Sequence, residues 1–315
     1  MQFISFRTPD FLQSCTSLPR VVHVILIATK PDIIKQIPLY RELKNRGHCV
    51  LLIHTGQHYD QNLSGGMLQE FGVEPDCNLN VRGGMDEVVS QIIGRLGSIF
   101  GELKKMGKTV IPYVHGDTTT AMAGAIAGYC HGFASVHVEA GIRTLTPAYS
   151  SWLKKEKKSD LASSIQDIDS WRNFLMDRAN WERGSQEPYP EQFNTRCAEA
   201  GTGIHLAPVP LVREFLESEG YAMDRVFVVG NSVVDATEDA LQRAKDHTNR
   251  RSIFDQYPVL EDGNFVRFCI HRRENCLSEM RFRSIVDAMI ALIKEGRTVL
   301  LISMIQTNLA FERFG

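Results

Sequence analysis

Two short stretches carry the residue types that acid–base chemistry needs. His115-Gly116-Asp117-Thr118 and His137-Val138-Glu139-Ala140-Gly141-Ile142-Arg143-Thr144 each close an apolar, β-rich run, with a helix of small residues between them. The order is strand, loop, helix, strand, loop. In an open parallel sheet the ends of adjacent strands line one crevice, and ligands bind there. Asp117, Glu139 and Arg143 are therefore expected to converge on one ligand. Two carboxylates suit proton transfer, and a guanidinium suits an anion. Simpler readings stand beside this one: Asp117 and the threonines can cap the next helix, and Glu139 can pair with Arg143.

Three more clusters lie where a crevice would be. Thr29-Lys30-Pro31-Asp32, with Lys35 one helical step on, follows an apolar run. Proline suits the first turn of a helix and Asp32 its positive end, so Lys30 and Lys35 flank a plausible anion site. An ordinary capped helix with solvated lysines explains the same residues. His271-Arg272-Arg273-Glu274-Asn275 puts three potentially cationic side chains at a strand end, a composition suited to a diphosphate. Pairing of the arginines with Glu274 or Glu279 is the alternative. Pro190-Glu191 through Arg196 adds a carboxylate and a guanidinium, and by itself says little. No G-x-x-x-x-G-K-[ST] or G-x-G-x-x-G run occurs, which withdraws the usual support for a P-loop or a nicotinamide fold. Neither a Ser-His-Asp arrangement nor metal-ligand spacing is visible.

The elements that must position these residues are legible from Val21 onward. Val21–Ala28, Cys49–His54, Thr109–Val114 and Ala134–Val138 read as strands, with helices expected over Ile33–Arg46, Met85–Met106 and Thr119–Tyr129. The strands are continuous apolar runs, as in a parallel sheet covered on both faces, and strands separated by helices indicate βαβ units. Between Thr146 and Pro190 the pattern dissolves into a partly helical insertion holding all three tryptophans. Regularity returns with strand Gly203–Ala207, helix Pro210–Glu219, strand Arg225–Val229 and helix Val233–His247. A fresh start comes with strand Phe265–Ile270, helix Ser278–Glu295, strand Thr298–Met304 and the beginning of another helix from Thr307. This reading gives a loose extension over 1–20, a Rossmann-like domain over 21–208 with its insertion at 146–190, and a linker plus partial second domain over 209–315. Two strands cannot close or cover a sheet, so the second domain is expected to be incomplete.

Bulk properties exclude several classes. With 315 residues the chain is long enough for two cores. A net charge of -2 argues against a general nucleic-acid or membrane-surface binder. Seven scattered cysteines without a C-x-x-C pair favour a reducing, cytoplasmic setting with neither a disulfide framework nor a zinc site. No apolar run is long enough to span a bilayer, and the first twenty residues carry no clear signal peptide.

Taken in order, Thr29-Lys30-Pro31-Asp32 with Lys35, His115-Gly116-Asp117-Thr118, His137 to Thr144, Pro190-Glu191 with Asn194 and Arg196, Gly230-Asn231-Ser232-Val233-Val234-Asp235, and His271 to Asn275 resemble the non-hydrolysing UDP-N-acetylglucosamine 2-epimerases over residues 21–315. The resemblance implies an α/β fold of two Rossmann-like domains of GT-B type facing each other across a nucleotide-sugar cleft. It also implies a UDP-sugar substrate, a homodimer, and no metal or nicotinamide cofactor. The implied reaction is reversible C2 epimerisation, giving UDP-N-acetylmannosamine by elimination and re-addition of UDP. Asp117, Glu139 and Glu191 would then serve proton transfer, and His271 would hold or protonate the leaving diphosphate. Lys30, Lys35, Arg143, Arg196, Asn231 and Arg272 would bind substrate, and Gln57 and His58 would sit at an effector site. Three departures stand out. Lys30 and Asp32 stand in a segment where the family has arginine and glutamate, the insertion is long and of archaeal type, and the family continues past Gly315. A hydrolysing epimerase releasing N-acetylmannosamine and UDP, and a catalytically inactive UDP-sugar-binding fragment, remain alternatives.

Overall fold

The computed structural model describes residues 4–8, 11–56, 66–183, 191–245 and 253–314. They form two compact units, Met1–Ala240 and Leu241–Gly315. In the first unit the strands are β1 (Ser5–Phe6), β2 (Val21–Ile27), β3 (Val50–His54), β4 (Cys77–Asn78), β5 (Thr109–His115), β6 (Ser135–Val138), β7 (Leu145–Pro147), β8 (Trp181–Arg183), β9 (Thr202–Ala207) and β10 (Val226–Val228). The helices between them are α1 (Phe11–Ser14), α2 (Lys30–Asn45), α3 (Gly66–Glu70), α4 (Met85–Lys105), α5 (Thr119–His131), α6 (Tyr149–Glu156), α7 (Leu161–Ser164), α8 (Ile168–Met176), α9 (Glu191–Ala200) and α10 (Pro210–Ser218), and α11 (Val233–Lys245) follows β10 and runs across the unit boundary.

Eight of these strands make one sheet in the order β1-β4-β3-β2-β5-β6-β9-β10, parallel except for β1. From β2 the chain winds outward through β3 to β4. It then returns to the other side of β2 and winds outward again through β5, β6, β9 and β10. The order therefore reverses between β2 and β5, which is where an open α/β sheet forms its ligand crevice.

Side chains alternate across each strand, so the two faces of β2 feed different cores. Val22, Val24 and Leu26 enter one core with α4 and α5, while Ile25 and Ile27 enter a second core on the opposite face with α2. Both faces are covered, as the unbroken apolar runs require. Helix α5 lies close to the sheet because its inner face is almost bare of side chains. A Cβ on Gly124 would sit 2.5 Å from Leu26 Cδ1, and one on Gly128 2.7 Å from Ser135 Oγ.

Two expectations need correction. The described part of residues 1–20 is not a loose extension: β1 pairs antiparallel with β4, and Phe11 and Cys15 are 5 % and 1 % exposed in the first core. Four apolar side chains spaced along Ile4–Cys15 give that segment enough surface to bury. The strand at Val226–Val228, expected in the linker that opens the 209–315 stretch, joins the first sheet as the parallel partner of β9 through the α10 crossover.

The insertion has its own small core. Trp152 is buried and donates its indole N–H to Ser164 Oγ at 2.9 Å, while Trp171 stacks on Phe174 at 5.8 Å. Asp160 and Asp167 cap α7 and α8, and the antiparallel pair β7–β8 closes the base. The second unit contains α12 (Ile253–Gln256), β11 (Phe265–Phe268), α13 (Arg273–Cys276), α14 (Glu279–Lys294), β12 (Thr298–Leu301) and α15 (Ile305–Phe314). Strands β11 and β12 pair in parallel, and Phe282, Met289 and Ala310 pack beneath them with Ile270. No helix among the described residues is long and apolar enough to cross a membrane.

Candidate active site

A cavity of about 180 Å3 opens at the carboxyl ends of β2, β5 and β6, where the strand order reverses. Its lining includes Lys35 from α2, His115 at the end of β5, Asp117 and Thr118 just after it, Glu139 and Ile142 after β6, and Gln192 and Thr195 from α9.

The loop after β5 is built to present side chains into it. Gly116 adopts a positive φ of 62°, which glycine reaches without strain. Its N–H donates to Val138 O at 2.9 Å, and its carbonyl accepts Nε2–H of His137 at 2.7 Å. His137 is wholly buried, and that burial lowers its pKa to about 4, so the ring is a neutral Nε2–H donor. Thr118, rather than Asp117, caps α5, accepting from Ala121 N at 3.1 Å. Asp117 is thereby left at the mouth of the cavity, its carbonyl fixed by Asn194 Nδ2 at 3.0 Å. Partial desolvation raises the Asp117 pKa, and the nearby charges of Glu191 and Glu139 add to the rise.

Glu139 behaves in the opposite way. Burial alone would raise its pKa, but hydrogen bonds and charge from His115 and Lys35 hold it at about 2. Lys35 Nζ lies 2.5 Å and His115 Nε2 2.9 Å from the same oxygen, Oε2. The residue sits at a φ of 62°, a left-handed conformation that a non-glycine residue adopts at a cost of about 1–2 kcal/mol. Such outliers persist only where their surroundings over-determine them, and they cluster at functional sites. Here the next amides, Ala140 N and Gly141 N, are tied to Leu206 O at 3.0 Å and Glu199 Oε1 at 2.5 Å.

Asp32, expected only at the positive end of α2, and His115, given no role from sequence, are joined in the structure. Asp32 Oδ1 lies 3.0 Å from His115 Nδ1, and its Oδ2 accepts both the N–H and the hydroxyl of Thr29 at 3.0 Å. Burial works against a charged His115, but the two carboxylates outweigh it and raise its pKa to about 9. A carboxylate next to an apolar helix start, with a histidine closing a neighbouring strand, is the sequence signal that could have linked them.

The other expected site residues divide clearly. Glu191, first residue of α9, is exposed and close enough to act on Asp117. Arg143 does not join the cavity. Its side chain is 1 % exposed and held by Glu199 and Glu219, with Nε 2.9 Å and Nη2 2.7 Å from the Glu219 carboxylate. Glu139 is therefore not its partner either. Arg196 is also absent from the lining: it is exposed and lies 3.5 Å from Glu219, while the preceding Thr195 faces the cavity. Lys30 is exposed at the first position of α2 and does not line the cavity. The side chain of Asn231 accepts from Val233 N at 3.0 Å at the start of α11. His271 and Arg272 are exposed in the second unit, beside the start of α13. Gln57 and His58 lie outside the described residues.

The sequence profile of the UDP-N-acetylglucosamine 2-epimerase family matches residues 41–148 and 182–313, and the gap between them holds α6 to α8. The UDP-N-acetylglucosamine 2-epimerase of Methanocaldococcus jannaschii is 27% identical over 272 residues, covering 86% of this chain and 62% of that protein. The Bacillus subtilis enzyme of the same name is 27% identical over 256 residues, 79% of this chain and 53% of its own length. The chain thus spans little more than half the length of these curated relatives. The crystal structure of the M. jannaschii UDP-GlcNAc 2-epimerase in complex with UDP-GlcNAc and UDP superposes with a TM-score of 0.67 at 25% identity, over 93% of this chain and 68% of that one. The Neisseria meningitidis enzyme bound to UDP-GlcNAc shares the fold, with a TM-score of 0.70 at 23% identity over 93% and 69% of the two chains. By sequence profile, relatives and GT-B-like α/β fold together, the chain belongs to the UDP-N-acetylglucosamine 2-epimerase family.

Proposed function

We propose that the chain is a non-hydrolysing UDP-N-acetylglucosamine 2-epimerase, interconverting UDP-N-acetylglucosamine and UDP-N-acetylmannosamine. The observation that supports this most is the gathering of Lys35, His115, Asp117 and Glu139 in one cavity at the reversal point of the sheet. The C2 proton of the sugar has no adjacent carbonyl, so direct abstraction would be slow. When the C1–O bond to UDP breaks, positive charge grows at C1 and the C2 proton becomes acidic. Loss of that proton gives a 2-acetamidoglucal, and protonation of C2 from the opposite face with return of UDP to C1 gives the epimer.

This path needs one fixed negative charge, groups that exchange protons, and cations for the diphosphate. Two carboxylates whose pKa values are driven apart divide these tasks. Glu139, held as an anion by Lys35 and His115, suits the stabilisation of charge at C1. Asp117, raised and at the cavity mouth, suits proton exchange, with Glu191 as its counterpart. Lys30, His271 and Arg272 are assigned to the diphosphate on the family resemblance, as are Gln57 and His58 to an effector site. The cytoplasm is the expected compartment, and a homodimer the expected assembly. Incubation with UDP-N-acetylglucosamine, then chromatography of the sugar nucleotides, tests the assignment. UDP-N-acetylmannosamine is the expected product. Free N-acetylmannosamine with UDP would identify the hydrolysing reaction instead, and unchanged substrate would reject both.

A further inference from the structure

Both ring nitrogens of His115 face carboxylate oxygens, Nδ1 at 3.0 Å from Asp32 Oδ1 and Nε2 at 2.9 Å from Glu139 Oε2. A neutral imidazole has one donor and one acceptor, and an ionised carboxylate only accepts. Two short contacts of this kind are satisfied together when both nitrogens carry protons. The second oxygen of Asp32 already accepts two hydrogen bonds from Thr29, which fits an ionised carboxylate. Asp32 is 1 % exposed and His115 5 % exposed, so neither charge is solvated by bulk water and each depends on the other.

We propose that Asp32 is a positioning residue that keeps His115 doubly protonated and aimed at Glu139, making Asp32, His115, Glu139 and Lys35 a fixed quartet that leaves proton exchange to Asp117. Two carboxylates and two cations cancel, so the cluster is neutral as a whole, and giving or taking a proton would leave it with a net charge. The groups acting on His115 come from every side of it. Asp32 and Lys35 belong to α2, Glu139 follows β6, Asp117 lies two residues along, and His137 approaches through β6 as a neutral ring. Among the described residues only Asp32 and Glu139 are hydrogen-bonded to the ring, Asp32 through Nδ1 and Glu139 through Nε2. The part of this inference that concerns Asp117 rests on the epimerase reading; the part that concerns His115 does not.

The test is a pH titration of the His115 ring by 15N NMR in the full chain, with the signal assigned by its absence from His115→Gln. In the unsubstituted protein both nitrogens are expected to stay protonated through neutral pH, with a midpoint near 9. Asp32→Asn is expected to lower that midpoint by roughly one pH unit or more, a tenfold weaker hold on the proton. The alkaline limb of the C2 exchange rate should then move down with it. A ring already neutral at pH 7 in the unsubstituted protein would overturn the proposal, and this holds even if Asp32→Asn does not fold. An unchanged midpoint in a folded Asp32→Asn would overturn it equally. Thr29→Val removes a donor to Asp32 Oδ2 without touching His115. A drop there as large as in Asp32→Asn would assign the effect to the helix start and reject the role of the Asp32 charge. If His115 titrates as expected but no C2 exchange is seen in any form, the positioning role stands and the epimerase reading falls.

Discussion

Replacing Arg143 by methionine separates two roles for this residue, a ligand-binding cation and a structural clamp. Its side chain is 1 % exposed and bridges Glu199, 0 % exposed, and Glu219, 16 % exposed. Glu199 also accepts Gly141 N at 2.5 Å and Thr195 Oγ1 at 3.3 Å. The guanidinium thus ties the loop after Glu139 to α9 and, through Glu219, to the end of α10. Removing it takes away the buried counter-charge that lies between the two carboxylates. Breaking a buried pair in this way costs about 3–5 kcal/mol. With a urea m-value of roughly 2 kcal/mol per molar, the unfolding midpoint should fall by about 2 M. Urea titration monitored by far-UV circular dichroism reads this directly. Converting Glu199 to leucine and Glu219 to methionine in the same chain should restore only part of the loss: the buried charges go, but the Gly141 N–H is left without its acceptor, at a cost of about 1–3 kcal/mol. A loss below about 1 kcal/mol, the range of an exposed ion pair, would refute the clamp and return Arg143 to the ligand.

The same loop and its neighbours give the remaining outcomes. Gly141 has a φ of 83°, and an added Cβ would lie 2.8 Å from both Leu216 and Val212. Backbone strain of about 1–2 kcal/mol and overpacking of about 1–3 kcal/mol should combine in Gly141→Ala to roughly 2–5 kcal/mol. Gly116→Ala, with a φ of 62° and nothing within 4 Å of the new Cβ, should cost only the strain, and urea midpoints for the two variants check the difference. The pH dependence of stability has a sign on each side of neutrality. His115 is raised from 6.5 to about 9, so its contribution is complete below pH 6.5 and is lost as pH rises through 9. His137, lowered from 6.5 to about 4, favours the unfolded chain as pH falls across that interval, and Glu139 adds a loss from 4.5 down to about 2. Melting temperatures against pH should therefore show a decline between pH 6.5 and 9 that is absent in His115→Gln, below the range in which the buried thiols of Cys15 and Cys77 add their own alkaline loss. An equal decline in that variant would contradict the buried imidazolium.

The first unit is legible because its strands are unbroken apolar runs: Val21–Ala28 is expected and Val21–Ile27 is found, and the α2, α4 and α5 boundaries shift by only a few residues. Short pairings are not legible. Strands β7 and β8 have three residues each, too few for alternation to register, and they become strands only by pairing with each other. The site is half visible. Asp117 and Glu139 stand out as carboxylates directly after apolar strands, and both line the cavity. The partners of Arg143 lie 56 and 76 residues away, beyond the reach of local spacing, so its place depends on the packing of α9 and α10. The Asp32–His115 contact is hidden for a related reason. It exists because β2 and β5 are neighbours, and that adjacency is a property of the strand order. Arg196 shows how a single helical step matters, since Thr195 faces the cavity and the next residue turns outside it.

On the proposed function, the cavity exchanges the C2 proton of a UDP-sugar through Asp117. Proton NMR of UDP-N-acetylglucosamine in deuterated water measures it directly, with the unsubstituted chain and Asp117→Asn side by side. Deuterium should enter C2 with the unsubstituted protein, and Asp117→Asn should slow that entry about 100- to 10,000-fold while still binding UDP. Undiminished exchange in Asp117→Asn would contradict the role given to this carboxylate, and no exchange with the unsubstituted protein would contradict the proposed activity and favour the catalytically inactive UDP-sugar-binding reading.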